Sequence, residues 1–366
     1  IFWRIVRMRR ERRIVRSGVM GTTSGLLAIA IAIVLTASTA SAARQASAHA
    51  SRPWRFSSAD PPLNYSRPLI GIYTQDSPSS YDGIPGKNDE YIAASYAKLV
   101  EAAGARPVPV SYNLEREDLM VTLDRLDGFV FPGGGMDLSL NRTFAMNAET
   151  IVNYAQYRSD FPVVAICLGF QLVSTVVSRS NEILSGFDSE NLLELPSWDY
   201  QAYVNSKLSQ FYPEYSDLKQ LHVFENHHSG VAVDVFEQRL SGFFDLLATG
   251  VDRGGKEYVA AVESKDYKIF GFQFHPEKTT YEWAPNEVIP HDYYDLEITR
   301  GVSAVLAYYA RRAEATEGRR GLSEEEANSM LIYNVPAVFT APYSDQTSFE
   351  QLYFFPKGYK AVTSKA

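Results

Sequence analysis

Cysteine is nearly absent: the chain of 366 residues holds one, Cys167. A lone thiol excludes an intrachain disulfide, so the usual reason for cysteine in an exported protein is missing. No His-x-x-x-His pair occurs, and no cysteine neighbours the His227-His228 doublet, so no metal site and no cofactor is expected. Long apolar runs are missing too. The one candidate, "LLAIAIAIVLTA" (Leu26 to Ala37), is shorter than the ~20 residues of a spanning helix. The first 42 residues carry seven Arg and one Glu; without them 28 Lys and Arg face 42 Asp and Glu, and the formal charge moves from −8 to −14. An acidic chain of this kind offers no nucleic-acid-binding surface. No internal repeat is visible.

What is present begins with a basic stretch, "RIVRMRRERRIVRSGVM", the apolar run, and the small residues Ala40 to Ala42. That order is expected to be a signal peptide over 1–42, removed near Ala42, with Met8 and Met20 as candidate starts and no stable membrane insertion afterwards. Residues 43–66, rich in Ser, Ala and Pro, read as a flexible leader. Sequons at Asn64 and Asn141 are compatible with glycosylation in the secretory route. The rest, with 45% hydrophobic and 13% aromatic residues overall, is enough for a large core.

From residue 67 the pattern is that of an α/β layered fold. "RPLIGIYTQ" is a compact apolar strand, and Ile92, Tyr96, Leu99, Val100 and Ala103 fall at helical spacing up to a stop at Gly104. "RPVPV" starts the next strand. "LDGFVFPGGG" and "FPVVAICLGFQLV" each run from strand into a glycine-containing turn, with helices around Ala148 to Arg158 and after the cysteine. Alternation of this kind predicts a mostly parallel central sheet between helices, with working loops at the carboxyl ends of the strands. "KIFGFQFHPEK" reads as a late strand and "GVSAVLAYYARRAEATEG" as a long amphipathic helix. One domain over 67–356 and a tail over 357–366 are expected.

Four short stretches could carry chemistry. Cys167 sits on a sharp strand-to-helix turn with Gly169 beyond it. There the Leu168 N–H can help stabilise an oxyanion and the helix N-terminus favours a thiolate; a small buried hydrophobe is the plain alternative. His275 and Glu277, two apart about Pro276, can share a face, so that the carboxylate orients the imidazole; an ordinary ion pair is the alternative. The run Gly133 to Gly135 lets backbone amides approach a ligand, or is simply a tight turn. His227 and His228 face opposite ways in an extended chain, so only one can enter a shared site.

Taken together, a glycine-rich loop, a cysteine turn and a late His-Pro-Glu resemble the class I glutamine amidotransferase-like fold, a three-layer αβα architecture. "CLGFQ", "FHPEKTTYEW" and the tail "EEEANSMLIYNVPAVFTAPYSDQTSFEQLYFF" closely resemble the γ-glutamyl hydrolases, or folate conjugases, from about Arg67 to Phe355. The resemblance implies a cysteine hydrolase that cleaves γ-glutamyl bonds of folate poly-γ-glutamates through a thioester. It implies Cys167 as nucleophile, His275 as catalytic histidine, Glu277 as its acid and His227 as a further site histidine, with His228 the competing choice. The amides of Gly134, Gly135 and Leu168 would line the oxyanion and substrate pocket. Ala165 departs from the glycine common at that place in the fold, and Lys278 is a candidate anion contact. A lysosome, a vacuole or the extracellular space is the expected location, with a homodimer among the expected assemblies. A glutaminase domain serving a synthase, or an exported inactive binding relative, are the competing readings.

Overall fold

The computed structural model describes residues 67–211, 214–317 and 322–362. The signal-peptide and leader readings, with Asn64, lie outside those residues, as does the end of the tail.

In chain order the strands are β1 (Leu69–Tyr73), β2 (Gln75–Asp76), β3 (Glu90–Ala93), β4 (Arg106–Val110), β5 (Gly128–Phe131), β6 (Val163–Ile166) and β7 (Ser185–Glu194). They continue with β8 (Ser197–Trp198), β9 (Val223–Gly230), β10 (Phe244–Val251), β11 (Glu257–Ser264), β12 (Ile269–Phe272), β13 (Val338–Phe339) and β14 (Gln351–Phe355). The helices are α1 (Ala94–Ala102), α2 (Arg116–Leu123), α3 (Thr143–Tyr157), α4 (Leu168–Ser178), α5 (Tyr200–Asn205), α6 (Tyr215–Leu218), α7 (Val233–Arg239), α8 (Lys278–Tyr281), α9 (Tyr293–Glu317) and α10 (Glu324–Met330).

The main sheet runs β4-β1-β5-β6-β12-β11-β10-β8. Its first five strands are mutually parallel and the last three antiparallel. The short strands LIGIY, GFVF and VVAI are buried at every position, which is the composition a strand covered on both faces requires. Alternation then divides the core. Ile70, Val130, Val164 and Ile166 pack with Tyr96 of α1 and Val302 and Leu306 of α9. Leu69, Phe129, Phe131 and Val163 pack with Ile151 of α3 and with Phe170 and Leu172 of α4. The result is the expected three-layer αβα sandwich. None of the described helices is long and apolar enough to cross a membrane.

Two smaller sheets lie outside this layer: β13-β14-β3-β2, and the antiparallel pair β7-β9. The first corrects the helical reading of Ile92, which lies in β3 opposite Tyr353. Pairing with a strand some 260 residues later overrides local helical spacing, and α1 starts only at Ala94. Likewise α3 begins at Thr143, ahead of the expected start near Ala148.

Candidate active site

Four neighbouring parallel strands, β1, β5, β6 and β12, end on the same side of the sheet, where open α/β sheets place their ligands. Their carboxyl ends carry Gln75, Gly133, Cys167 and His275 respectively. At the end of β6 the ladder continues through the Cys167 N–H, which donates to the Phe272 carbonyl at 2.7 Å. The chain then turns sharply: Cys167 has φ 49° and ψ −109°, a combination that costs a side-chain-bearing residue about 1–3 kcal/mol. The turn is possible because Gly169 lies against β5, where a Cβ would meet the Phe131 carbonyl oxygen at 2.2 Å. Ala165 creates no difficulty. It is a strand residue opposite Phe131 and Gly271, and it is not among the positive-φ residues.

His275 and Glu277 meet through a turn rather than along an extended strand, since β12 ends at Phe272 and Glu277 already has helical dihedrals as the cap of α8. The His275 Nδ1 lies 2.8 Å from the Glu277 Oε1, and the two side chains are 6% and 0% exposed. With a carboxylate as acceptor, Nδ1 carries the proton and Nε2 is left for the thiol side. Burial works against an imidazolium, but the charges of Glu277 and Cys167, each reinforced by a hydrogen bond, prevail and raise His275 to about 10. A Cβ on Gly133 would fall 2.7 Å from the His275 Cε1, 2.8 Å from the Tyr96 hydroxyl and 3.2 Å from the Cys167 Cβ. Gly133 is thus the spacer across which these three side chains meet. Tyr96 accepts the Gly133 N–H at 2.8 Å; burial, then the charges of Glu277 and Cys167, push its hydroxyl well above the usual tyrosine range.

The glycine loop differs from expectation at one amide. Gly135 donates to the Gln75 Oε1 at 3.2 Å, so its N–H is committed within the protein and does not line an oxyanion pocket. The reason is a buried amide side chain that needs a donor for its oxygen. Gly134 has φ +151°, and a Cβ there would lie 1.9 Å from the same oxygen. Leu168, first residue of α4, carries one of the amides that helix geometry leaves unpaired.

The strand β9 separates the two histidines as alternation requires. His228 is exposed and faces Glu190 at 3.3 Å. His227 is buried, its Nδ1 3.0 Å from the Ser229 carbonyl and its Nε2 3.1 Å from Glu225, with its ring edge-on to Tyr258. Tyr258 in turn donates to Glu194, whose carboxyl is raised by burial first, with Glu225 adding to it. His227 therefore sits in a buried polar cluster of its own, one residue from the Asn226 carbonyl that lies 4.0 Å from the Cys167 Sγ. Lys278 differs outright from the expected anion contact. Its side chain is 2% exposed and its ammonium is held by Glu287 at 2.6 Å, because a lysine so buried requires an anion of its own.

A family model, Peptidase C26, matches residues 68–277. Gamma-glutamyl hydrolase 1 of Arabidopsis thaliana is 35% identical over 318 residues, covering 82% of this chain and 85% of that protein. The chain belongs to the gamma-glutamyl hydrolase family. Another relative, probable gamma-glutamyl hydrolase 3 of the same plant, is 33% identical over 78% of this chain and 83% of its own length. The human gamma-glutamyl hydrolase is 31% identical, covering 79% and 90%. Membership makes the chain a hydrolase of γ-glutamyl bonds.

In this hydrolase a group of metal-ligand type, His222, Asp292 and Asp295, stands together among the described residues. Hydrogen bonds account for its carboxylates: Asp295 accepts the His222 N–H at 2.7 Å, and Asp292 accepts the N–H groups of Tyr294 and Asp295 at the start of α9. Sequence reasoning missed three buried polar residues around the hydrolase site: Gln75, Tyr96 and Glu282. Glu282, five residues beyond Glu277, accepts the Glu350 N–H at 2.7 Å. Burial raises its carboxyl to about 7, with Glu277 adding to the rise and Ser95 and Lys278 opposing it. The available signal was polarity without a turn: Gln75 comes two residues after the end of an apolar strand, and Glu282 lies within "TTYEW".

Proposed function

We propose that the chain cleaves folate poly-γ-glutamates with Cys167 as nucleophile, His275 as acid and base, and Glu277 as the group that orients it. The observation that carries this reading is the Cys167–His275–Glu277 constellation, with Cys167 on a strained turn and the His275 Nδ1 2.8 Å from Glu277. The Cys167 thiolate attacks the γ-amide carbonyl carbon, and the oxyanion meets backbone N–H groups, those of Leu168 and Gly134. The C–N bond breaks as His275 Nε2 gives its proton to the departing glutamate nitrogen, leaving a thioester. Acylation also removes the thiolate charge that had helped to raise His275. Burial then counts for more, and the imidazole is freed to take a proton from water. Hydroxide addition to the thioester and expulsion of Cys167 release the shortened γ-carboxylate.

The substrate is polyanionic and the chain acidic, and Lys278 is already neutralised. Action at acidic pH, where glutamate carboxylates are partly protonated, follows from that balance and suits passage through the secretory route to a lysosome or vacuole. The test incubates residues 43–366 with a pteroyl penta-γ-glutamate between pH 4.5 and 7, beside Cys167→Ala, and follows chain length by mass spectrometry. Shortened products absent from the control are expected. A folded, thiol-reactive protein that leaves the chain intact would overturn the substrate reading.

A further inference from the structure

Gln75 is 3% exposed and lies in β2, the two-residue strand at the edge of the small sheet. Its Nε2 donates to the Gly133 carbonyl at 2.7 Å and reaches the Pro132 carbonyl at 3.4 Å. Its Oε1 accepts the Gly135 N–H at 3.2 Å. These partners fix which end of the amide is which, because two carbonyls need a donor and one N–H needs an acceptor. With Gly133 donating to Tyr96 and Gly135 to Gln75, Gly134 has the one N–H of the three glycines without a partner among the described residues. The side chain also fills the space that any Cβ on Gly134 would need.

We propose that Gln75 is the positioning residue of the oxyanion site, clamping the loop on both sides of Gly134 so that the Gly134 N–H is presented as donor. The inference rests on the proposed thioester chemistry. Preorganised donors of this kind lower the barrier because they need not reorient as charge develops. A flexible triglycine would otherwise sample many conformations, and Gln75 supplies the restraint from a different sheet.

The test uses Gln75→Glu and Gln75→Met in the full mature chain, with a γ-glutamyl anilide that has no pteroyl group, so failure of the folate reading leaves the measurement intact. A protonated glutamic acid keeps one donor and one acceptor; its carboxylate has no donor and turns charge on two carbonyls. The ionisable groups about it are Asp76 and Tyr91 of its own sheet and, across Gly133, Tyr96, His275 and Cys167. Gln75→Glu should retain kcat near the parent value at pH 4.5 and lose at least about 10-fold relative to it by pH 7.5, with KM little changed. Gln75→Met should lose about 10- to 100-fold in kcat at both, up to the lower edge of the roughly 10²–10³-fold known for a lost oxyanion donor, because the Gly134 N–H is loosened rather than removed. Melting curves at both pH values establish that each variant is folded. A Gln75→Glu profile that superimposes on the parent's overturns the proposal, as does an equal loss at every pH in folded protein, or a Gln75→Met variant whose kcat is unchanged.

Discussion

Replacing Glu277 by Gln keeps the size of the side chain and removes the charge that faces His275. The difference between about 10 and the ordinary histidine value of 6.5 corresponds to roughly 5 kcal/mol in favour of the imidazolium. Glu277 is the leading cause on the raising side and Cys167 the second, so about half or more of that figure vanishes with the carboxylate. His275 in Glu277→Gln should then titrate well below the parent, since burial persists and opposes the charge. The assay is the pH dependence of histidine NMR signals, with six histidines in the chain assigned by single substitution. Activity should fall by about 10²-fold or more, as an amide no longer stabilises the imidazolium that forms during proton transfer. The sign for stability follows from the same shift. A raised folded-state value contributes stability that is full below 6.5 and lost as pH rises through about 10, and the loss should be shallower in the variant. A parent His275 that titrates near 6.5, or a midpoint that moves by less than about half a unit in the variant, would refute the electrostatic argument.

Gly169→Ala pushes a methyl group into the Phe131 carbonyl, backbone that cannot rotate away; a stability loss of about 3 kcal/mol and loss of activity are expected by calorimetry and turnover, and a neutral variant would contradict the geometry. The raised Glu282 carboxyl contributes stability below 4.5 that is lost as pH rises through about 7. Glu282→Gln should therefore match the parent at pH 4.5 and exceed it by up to about 3 kcal/mol at pH 8, as denaturant titrations at the two pH values will report. Lys278→Met leaves Glu287 buried without its cation and should cost about 3–5 kcal/mol, with recovery in the double variant Lys278→Met/Glu287→Met. KM should stay unchanged in the double variant; a large rise would restore Lys278 as a substrate contact.

The parts of the site that the sequence made legible are those set by a few consecutive residues. The strand VVAI running into Cys167 and Gly169 dictates its own turn, and alternation within β9 separates His227 from His228. The committed Gly135 amide was not legible, because its acceptor lies 60 residues earlier and arrives through a sheet whose other strands are β3, β13 and β14. Ile92 was misplaced for the same reason: helical spacing is a local signal and β3 is held by a distant partner. The Lys278 partner, Glu287, comes from an aperiodic loop in which no period marks a buried carboxylate. Local chemistry showed itself in the letters, whereas the satisfaction of buried donors and acceptors depended on which distant segments the fold brings together.

The small sheet closes with β14, in which Leu352 to Phe355 pair with Ala93 to Glu90, and just beyond it the Gly358 N–H donates to the buried Glu90 at 2.9 Å. During synthesis β3 emerges long before that partner exists, so Gln75 and Tyr96, which flank β3, have no finished frame until β14 has been made. Cys167 is made more than 180 residues before β14 and must wait for it. The order of translation therefore leaves the small sheet, with Gln75 at its edge, to be completed only after Cys167 and every strand of the main sheet have been made.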